Sequence, residues 1–242
     1  MFKKLKSISL AILMASVVLA GLSSCNSDNG GNKGGTDYQY LVVTIAAMTD
    51  AGTTFTYQVG GVDSQLITLT ATQSLNKDKF KVGERVMIAF VYSNKNQTVT
   101  NPNSGEISLW GVSQVLNDKV KFGTSNEYNS FFSETIESAY CWMSGPYLNI
   151  QASLVIRNEP KEYCLVMDQS TANSDYPTFY LLFKTDDNVN GTLKTAVASY
   201  DLSEFWANEA NYKGFTLNVS NLYGQRQWTF SRTGTETIKP IE

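Results

Sequence analysis

The chain has 242 residues, of which 19 are basic and 22 acidic, and it contains no histidine. The absence of histidine excludes Ser-His-Asp and Cys-His catalytic devices, histidine proton shuttles and imidazole-ligated zinc. Lys3, Lys4 and Lys6 belong to a leader described below, and without these three lysines 16 basic residues face 22 acidic ones, a net charge of −6. This balance argues against nucleic acid and anionic lipid as electrostatic partners, and we expect no nucleic-acid partner.

The first 24 residues have the order of a lipoprotein signal peptide. The three lysines precede an apolar run at residues 8–19, and Leu22-Ser23-Ser24-Cys25 then resembles a lipobox. The run is shorter than the roughly 20 residues that span a bilayer as a helix. We therefore expect residues 1–24 to be removed and Cys25 to be lipidated, which anchors the protein to a membrane. The predicted location is the cell envelope, at the outer membrane, on either its surface or its periplasmic face.

Two β domains are expected after a polar segment. Residues 25–36 are small and polar, a composition typical of a flexible tether. Residues 37–119 contain short alternating segments that suit a small OB-like Greek-key barrel, although an open meander has the same pattern. The predicted strands of this domain are 40–48, 54–59, 64–71, 85–93 and 107–115, with a glycine turn at Gly83 before the fourth.

Residues 120–242 predict a β-sandwich. Short strands separated by turn residues are expected at 139–142, 147–156, 162–167, 178–184, 192–200, 214–219 and 227–232. One helix is predicted over residues 201–211, because Asp201 can cap its start and Gly214 lies just beyond its end. Phe205 and Trp206 on this helix are expected to close one end of the sandwich core. The fold class is therefore all-β: a small OB-like barrel followed by a β-sandwich with one short helix.

Carboxylates are the remaining candidates for catalysis, because glycoside hydrolysis needs only two of them at a fixed separation. Those of the second domain fall in predicted turns or at the helix start, where turn and capping roles explain them, and no catalytic pair is assigned among Asp168, Asp175, Asp186, Asp187 and Glu204. Residues 186–191 also offer oxygen ligands for calcium. They lack the spacing of an EF-hand loop, and a hairpin turn at Asn190-Gly191 explains them better, so no metal and no cofactor is predicted.

Thiols and aromatic side chains allow more than one interpretation. Cys141 and Cys164 could form a disulfide, which export permits, or remain two buried thiols, and the sequence leaves both open. Tryptophans within strand patterns are expected in the core, namely Trp110, Trp142 and Trp228. Tyrosines near predicted strand ends are the better candidates for exposed contacts, namely Tyr38, Tyr40, Tyr128 and Tyr147.

Several segments together resemble NigD-like lipoproteins. They are the lipobox at Cys25, the polar tether, Tyr40-Leu-Val-Val-Thr-Ile-Ala, Phe80-Lys-Val-Gly-Glu-Arg-Val-Met-Ile-Ala-Phe, Ile107-Ser-Leu-Trp-Gly-Val and Cys141-Trp-Met-Ser-Gly-Pro-Tyr-Leu-Asn-Ile-Gln. The resemblance covers nearly the whole chain after Cys25. It implies an N-terminal OB-like domain followed by a C-terminal β-sandwich, and it carries no established reaction.

Two classes of function follow from the sequence. The first is a non-catalytic envelope protein whose β domains bind a protein or a glycan, and the second is an envelope hydrolase that uses paired carboxylates on a glycan. The absence of histidine and of any concentrated catalytic motif favours the first class, so we expect no enzymatic activity. A binding protein should show an exposed aromatic patch or strand edge, whereas a hydrolase should show two convergent carboxylates in a cleft.

Overall fold

The computed structural model describes residues 38–94, 103–124, 136, 138–156, 162–184, 192–208, 212–221, 224–234 and 236–240. The predicted signal peptide, Cys25 and the tether lie outside these residues, so their assignments stay predictions. Within the described ranges, no helix combines the length and the apolar character needed to cross a membrane.

The first five strands close into a barrel. They are β1 (Gln39–Thr49), β2 (Gly52–Gln58), β3 (Leu66–Ala71), β4 (Arg85–Tyr92) and β5 (Gly105–Gln114). Their order around the barrel is β1-β2-β3-β5-β4, and β4 pairs back to β1. Because β3 and β5 are parallel neighbours, the meander is excluded and the OB-like barrel is confirmed.

Alternating side chains fill this barrel. Val43 and Ile45 of β1 and Val86 and Ile88 of β4 are fully buried, as expected where every second residue of a strand points inwards. The predicted turn before β4 is also confirmed. Gly83 has a φ of +87°, which other residues resist, and its amide donates to the carbonyl of Ile45 at 2.8 Å.

The other strands form the two sheets of a sandwich. They are β6 (Leu116–Lys119), β7 (Lys121–Gly123), β8 (Ser138–Ser144), β9 (Tyr147–Ile156), β10 (Glu162–Asp168), β11 (Thr178–Lys184), β12 (Thr192–Asp201), β13 (Gly214–Asn221), β14 (Gly224–Ser231) and β15 (Glu236–Pro240). One sheet has the order β15-β14-β13-β11-β10-β7, and the other has the order β6-β12-β9-β8. The predicted sandwich is therefore confirmed.

The predicted helix is present but shorter than expected. It is α1 (Ser203–Asn208), and Asp201 accepts a hydrogen bond from its first amide at 2.8 Å. Phe205 and Trp206 are buried in the sandwich core, as predicted. Gly214 does not end the helix but begins β13, where a Cβ atom would clash with a carbonyl oxygen of the facing strand β14. The absence of a side chain at Gly214 therefore allows β13 and β14 to lie close together.

Two of the connections that the sequence predicts as turns pass from one sheet of the sandwich to the other. Strands β9 and β10 lie in different sheets, and so do β11 and β12. The hairpin predicted at residues 186–191 is therefore wrong, because its flanking strands do not pair with each other. Those residues, including Asp186 and Asp187, lie outside the described part of the chain.

Strands β6 and β7 connect the barrel to both sheets of the sandwich. β6 pairs in parallel with β12 at the edge of the four-stranded sheet. After the buried Val120, β7 pairs in parallel with β10 at the edge of the six-stranded sheet. Neither β6, with four residues, nor β7, with three, was predicted, because an alternating pattern cannot be recognised in so short a segment. Sandwich pairing thus begins at Leu116, ahead of the boundary expected after residue 119.

Candidate binding surfaces

A buried arginine joins the two domains. Arg85 points out of the barrel, and its guanidinium donates to Asn149 Oδ1 at 3.0 Å, to Ser199 Oγ at 3.1 Å and to Thr44 Oγ1 at 3.3 Å. Ser199 Oγ donates to the same Asn149 oxygen at 2.9 Å. The ring of Tyr147 lies 4.3 Å from the guanidinium carbon. The barrel is therefore fixed to the four-stranded sheet by charge-assisted hydrogen bonds.

The electrostatics of Arg85 indicate a structural role. Burial lowers its pKa to about 10, while Tyr147, Tyr57 and Asp201 act in the opposite direction. The guanidinium therefore remains charged at neutral pH, and its hydrogen-bonding partners among the described residues are neutral oxygens. Arg85 therefore uses its hydrogen-bond donors within the protein. It stabilises the contact between the two domains and is not a candidate for ligand binding.

The loop between β2 and β3 makes a second contact between the domains. Gly60 forms a parallel bridge with Ser144, and the amide of Gly145 donates to the carbonyl of Gly60 at 2.8 Å. Arg232 donates two hydrogen bonds to the carboxylate of Asp63, at 3.1 and 3.4 Å. The two domains thus meet at two separate places, which restricts their movement relative to each other.

Exposed apolar side chains lie on or next to the strands that lead into this second contact. Tyr140 on the edge strand β8 is 56% exposed, and its ring stacks on Trp142 with 5.4 Å between centroids and 28° between planes. Val59 and Leu66 are exposed on the barrel side, with Val59 directly before the Gly60 bridge to β8. We call Val59, Leu66, Tyr140 and Trp142 the junction surface. It combines large apolar area with the outermost strand of a sheet.

A second exposed group lies on the outer wall of the barrel. Trp110 is 71% exposed, and the ring of Tyr38 packs against it with 4.3 Å between centroids. The expectation that Trp110 lies in the core is wrong. Leu109 faces the barrel core, so the next residue, Trp110, points outwards. The pairing of β4 with β5 shifts register after Ala89, which makes Trp110 the extra residue of a β-bulge. Tyr40, also exposed, pairs with Ala89. We call Tyr38, Tyr40 and Trp110 the barrel aromatic surface.

The other aromatic predictions have mixed outcomes. Trp228 is buried in the sandwich core, as predicted, whereas Trp142 is only partly buried and belongs to the junction surface. Tyr147 was expected to be exposed, but it is half-buried because Arg85 lies over its ring. Tyr128 lies outside the described residues.

Described carboxylates of the second domain have capping and surface roles. Asp168 accepts hydrogen bonds from the amide and hydroxyl of Ser170, at 2.9 and 2.7 Å, and caps a short 3-10 turn. Asp175 pairs with Lys213 at 2.6 Å on the surface, and Glu204 is exposed in the first turn of α1. Among the residues that the structure describes, no group of three or more cysteines and carboxylates is placed to hold a metal ion.

No disulfide joins Cys141 and Cys164, and both thiols are buried. Cys141 points into the sandwich core. Leu165 and Met167 of β10 point into the same core, so their neighbour Cys164 points to the other face of its sheet. Two thiols on opposite sides of a sheet cannot bridge, which decides in favour of buried thiols.

Known proteins share this architecture. Residues 119–232 match the family model described as the NigD-like C-terminal beta sandwich domain. A protein of unknown function from Bacteroides vulgatus is 16% identical with a TM-score of 0.61, over 85% of this chain and 92% of that one. A "putative toxin related protein" from Parabacteroides distasonis is 13% identical with a TM-score of 0.55, over 84% and 94%. A "putative lipoprotein" from Bacteroides fragilis is 13% identical with a TM-score of 0.52, over 85% and 98%. At these identities the three structures show a shared fold. The curated proteins contain no match to this chain.

Proposed function

We propose that this chain, whose residues 119–232 match the NigD-like C-terminal beta sandwich domain, is a non-catalytic binding protein of the cell envelope. A lipidated Cys25 anchors it to the outer membrane. Its folded part binds a protein or a glycan through the junction surface. The name of the B. fragilis relative supports the anchor, as does the lipobox at Cys25.

The observation that carries this proposal is the stacked pair of Tyr140 and Trp142 on an edge strand between two domains. Large aromatic side chains contribute much contact area at a low entropic cost, and ligand sites are common where domains meet. Among the described residues β8 is also the edge strand of its sheet, bridged to Gly60 at Ser144, and an extended partner can add a strand along β8 beyond that bridge. The Arg85 network and the Asp63–Arg232 pair hold the two sides of the junction in place before any partner binds.

The described carboxylates favour binding over hydrolysis. A carboxylate hydrolase needs one protonated acid and one charged partner that converge on a cleft. Asp168 is engaged by Ser170 in a cap, and Asp175 is paired with Lys213 on the open surface, so these two carboxylates have capping and surface roles. A non-catalytic role accounts for these positions without further assumptions.

Photo-crosslinking in producing cells tests the proposal. A photoreactive residue at Tyr140 should give a discrete adduct, whereas the same residue at Val82 should give none, because Val82 is equally exposed but lies at a barrel turn. Digestion of the adduct with a protease or with glycan-degrading enzymes identifies the class of partner. Equal labelling from both positions, or none from Tyr140, would contradict binding at the junction surface.

Protease treatment of intact cells tests the location. With a periplasmic marker intact, loss of the protein places it on the outer surface, and full protection places it on the periplasmic side. The Cys25→Ala variant is the control, because it should no longer sediment with membranes.

A further inference from the structure

We propose that the barrel aromatic surface docks onto the lipid–water interface of the membrane that holds Cys25. This inference rests on the anchor of the proposed function and concerns a surface separate from the junction. It assigns the two exposed aromatic groups seen among the described residues to two different partners, the bilayer for Trp110 and a protein or glycan for Tyr140.

The shape of the surface suits a flat, partly apolar environment. Tyr40 on β1, Ala89 on β4 and Gly111 on β5 lie in one row across the barrel wall, and two of the three are very small. The rings of Trp110 and Tyr40 therefore stand above their surroundings. Leu109 faces the barrel core, so the indole of its neighbour Trp110 points outwards, at the β-bulge in the pairing of β5 with β4.

The chemistry of these side chains matches the headgroup region of a bilayer. Indole and phenol rings have an apolar body and a polar tip, and they concentrate at membrane interfaces. The net charge of −6 after removal of the leader provides no general attraction to anionic lipid. Docking therefore depends on aromatic partitioning, which is insensitive to salt, rather than on screened charge.

The position of the anchor points to the same surface. Twelve residues, 26–37, separate Cys25 from Tyr38, and a chain of that length spans at most about 40 Å. The covalent connection to the membrane thus arrives at the barrel aromatic surface itself. A surface so tethered meets the bilayer at a high effective concentration, and weak partitioning is then sufficient.

The same orientation leaves the sandwich free. From Tyr38, β1 runs about 20 Å to Thr44, which contacts Arg85 at the sandwich side of the barrel. With the Tyr38 end on the bilayer, the sandwich is held away from the lipid. The junction surface then remains accessible to a soluble or surface-bound partner.

Fluorescence quenching by brominated lipid tests the docking. The lipidated full chain is incorporated into phosphatidylcholine vesicles with and without bromine on the acyl chains, and anchoring is checked by co-flotation. We expect strong quenching of tryptophan emission in the brominated vesicles. Trp110→Phe should remove most of that quenching, whereas Trp142→Phe, the matched control on the junction surface, should preserve it.

A second variant separates docking from the position of the reporter. Tyr38→Ser with Tyr40→Ser keeps Trp110 but removes the neighbouring rings, and it should reduce the quenching of Trp110. Raising the salt concentration should leave the quenching of the wild type unchanged.

The outcomes distinguish the docking from the anchor. Protein that floats with the vesicles but shows equal emission in both lipids overturns docking and leaves the anchor intact. Absence of lipid on Cys25 overturns the anchor and docking with it. Emission of Trp110 that depends on protein concentration and not on bromine would show instead that a second copy of the chain covers this surface.

Discussion

Asn149 offers a quantitative test of the domain contact. Its side chain is fully buried, and its oxygen accepts hydrogen bonds from Arg85 and Ser199 at 3.0 and 2.9 Å. Asn149→Ala leaves a charged N–H and a hydroxyl without this acceptor. A hydrogen bond to a charged group contributes about 1.5–3 kcal/mol and a neutral one about 1 kcal/mol. We therefore expect the free energy of unfolding to fall by about 3 kcal/mol.

The partner variant Arg85→Met should have a smaller effect. It loses the contact with Tyr147, worth about 2 kcal/mol when desolvated, but it also removes a buried charge. The lowering of the Arg85 pKa to about 10 corresponds to a cost of about 3 kcal/mol for holding that charge inside the protein. In the double variant that combines Arg85→Met with Asn149→Ala, the guanidinium is absent, so no buried charge lacks an acceptor. The two changes should therefore cost about 2 kcal/mol less together than the sum of the single changes.

Urea unfolding of the four proteins provides the measurement. Ser153→Ala is the matched control on the same strand, since its hydroxyl bond to Thr195 is exposed and should contribute less than about 0.5 kcal/mol. Additivity of the two changes within about 0.5 kcal/mol would refute the assigned network. So would an Asn149→Ala variant as stable as the control.

Three further predictions concern single features. Gly145→Ala should destabilise the protein by about 1–2 kcal/mol, because the residue has a φ of +60° that a Cβ atom disfavours; unchanged urea midpoints would contradict this. In a Cys25→Ala background, Cys141 and Cys164 should react with a thiol reagent only after unfolding, and a reducing agent should not change Tm; rapid labelling of the native protein would be inconsistent with their burial. Burial raises the pKa of Tyr57, so the folded state holds this proton more tightly than the unfolded state, and stability is lost as the pH rises above 10. Tyr57→Phe should reduce that alkaline loss in pH-dependent urea unfolding, and identical slopes for both proteins would show that the phenol does not contribute.

Alternation of side chains made much of the fold predictable. The ends of β9 and β11 agree with the sequence-based limits of 147–156 and 178–184, since each strand has one buried face and clear turn residues beside it. The closed barrel followed from the spacing of its strands. Its parallel contact between β3 and β5, however, is a tertiary pairing that no local pattern specifies.

The candidate surfaces were harder to predict for the same reason. Trp110 was assigned to the core because it lies within a strand pattern, but its neighbour Leu109 faces the barrel core, so Trp110 lies on the outer face. The bulge against β4 then brings Val112 back to the core side. Arg85 begins a strand, a position typical of a solvated charge, and its burial depends on Asn149 and Ser199, which are 64 and 114 residues further along the chain. Tyr38 and Tyr40 were expected to be exposed because residues near strand ends are less constrained; Tyr40 is exposed, whereas Tyr38 is half-buried and its ring packs against Trp110.

The strands β6 and β7 also constrain the order in which the chain can fold. The barrel is complete at Gln114, but β6 has no partner until β12 (Thr192–Asp201) is available, and β7 waits for β10 (Glu162–Asp168). Closing such long loops is slow relative to forming local hairpins. The barrel can therefore mature while residues 116–123 are still unpaired, and the domains become one unit only after the chain has emerged as far as residue 201. A chain interrupted before β10 would display two unpaired strands to its neighbours, and one interrupted between β10 and β12 would still display β6, which favours aggregation over assembly.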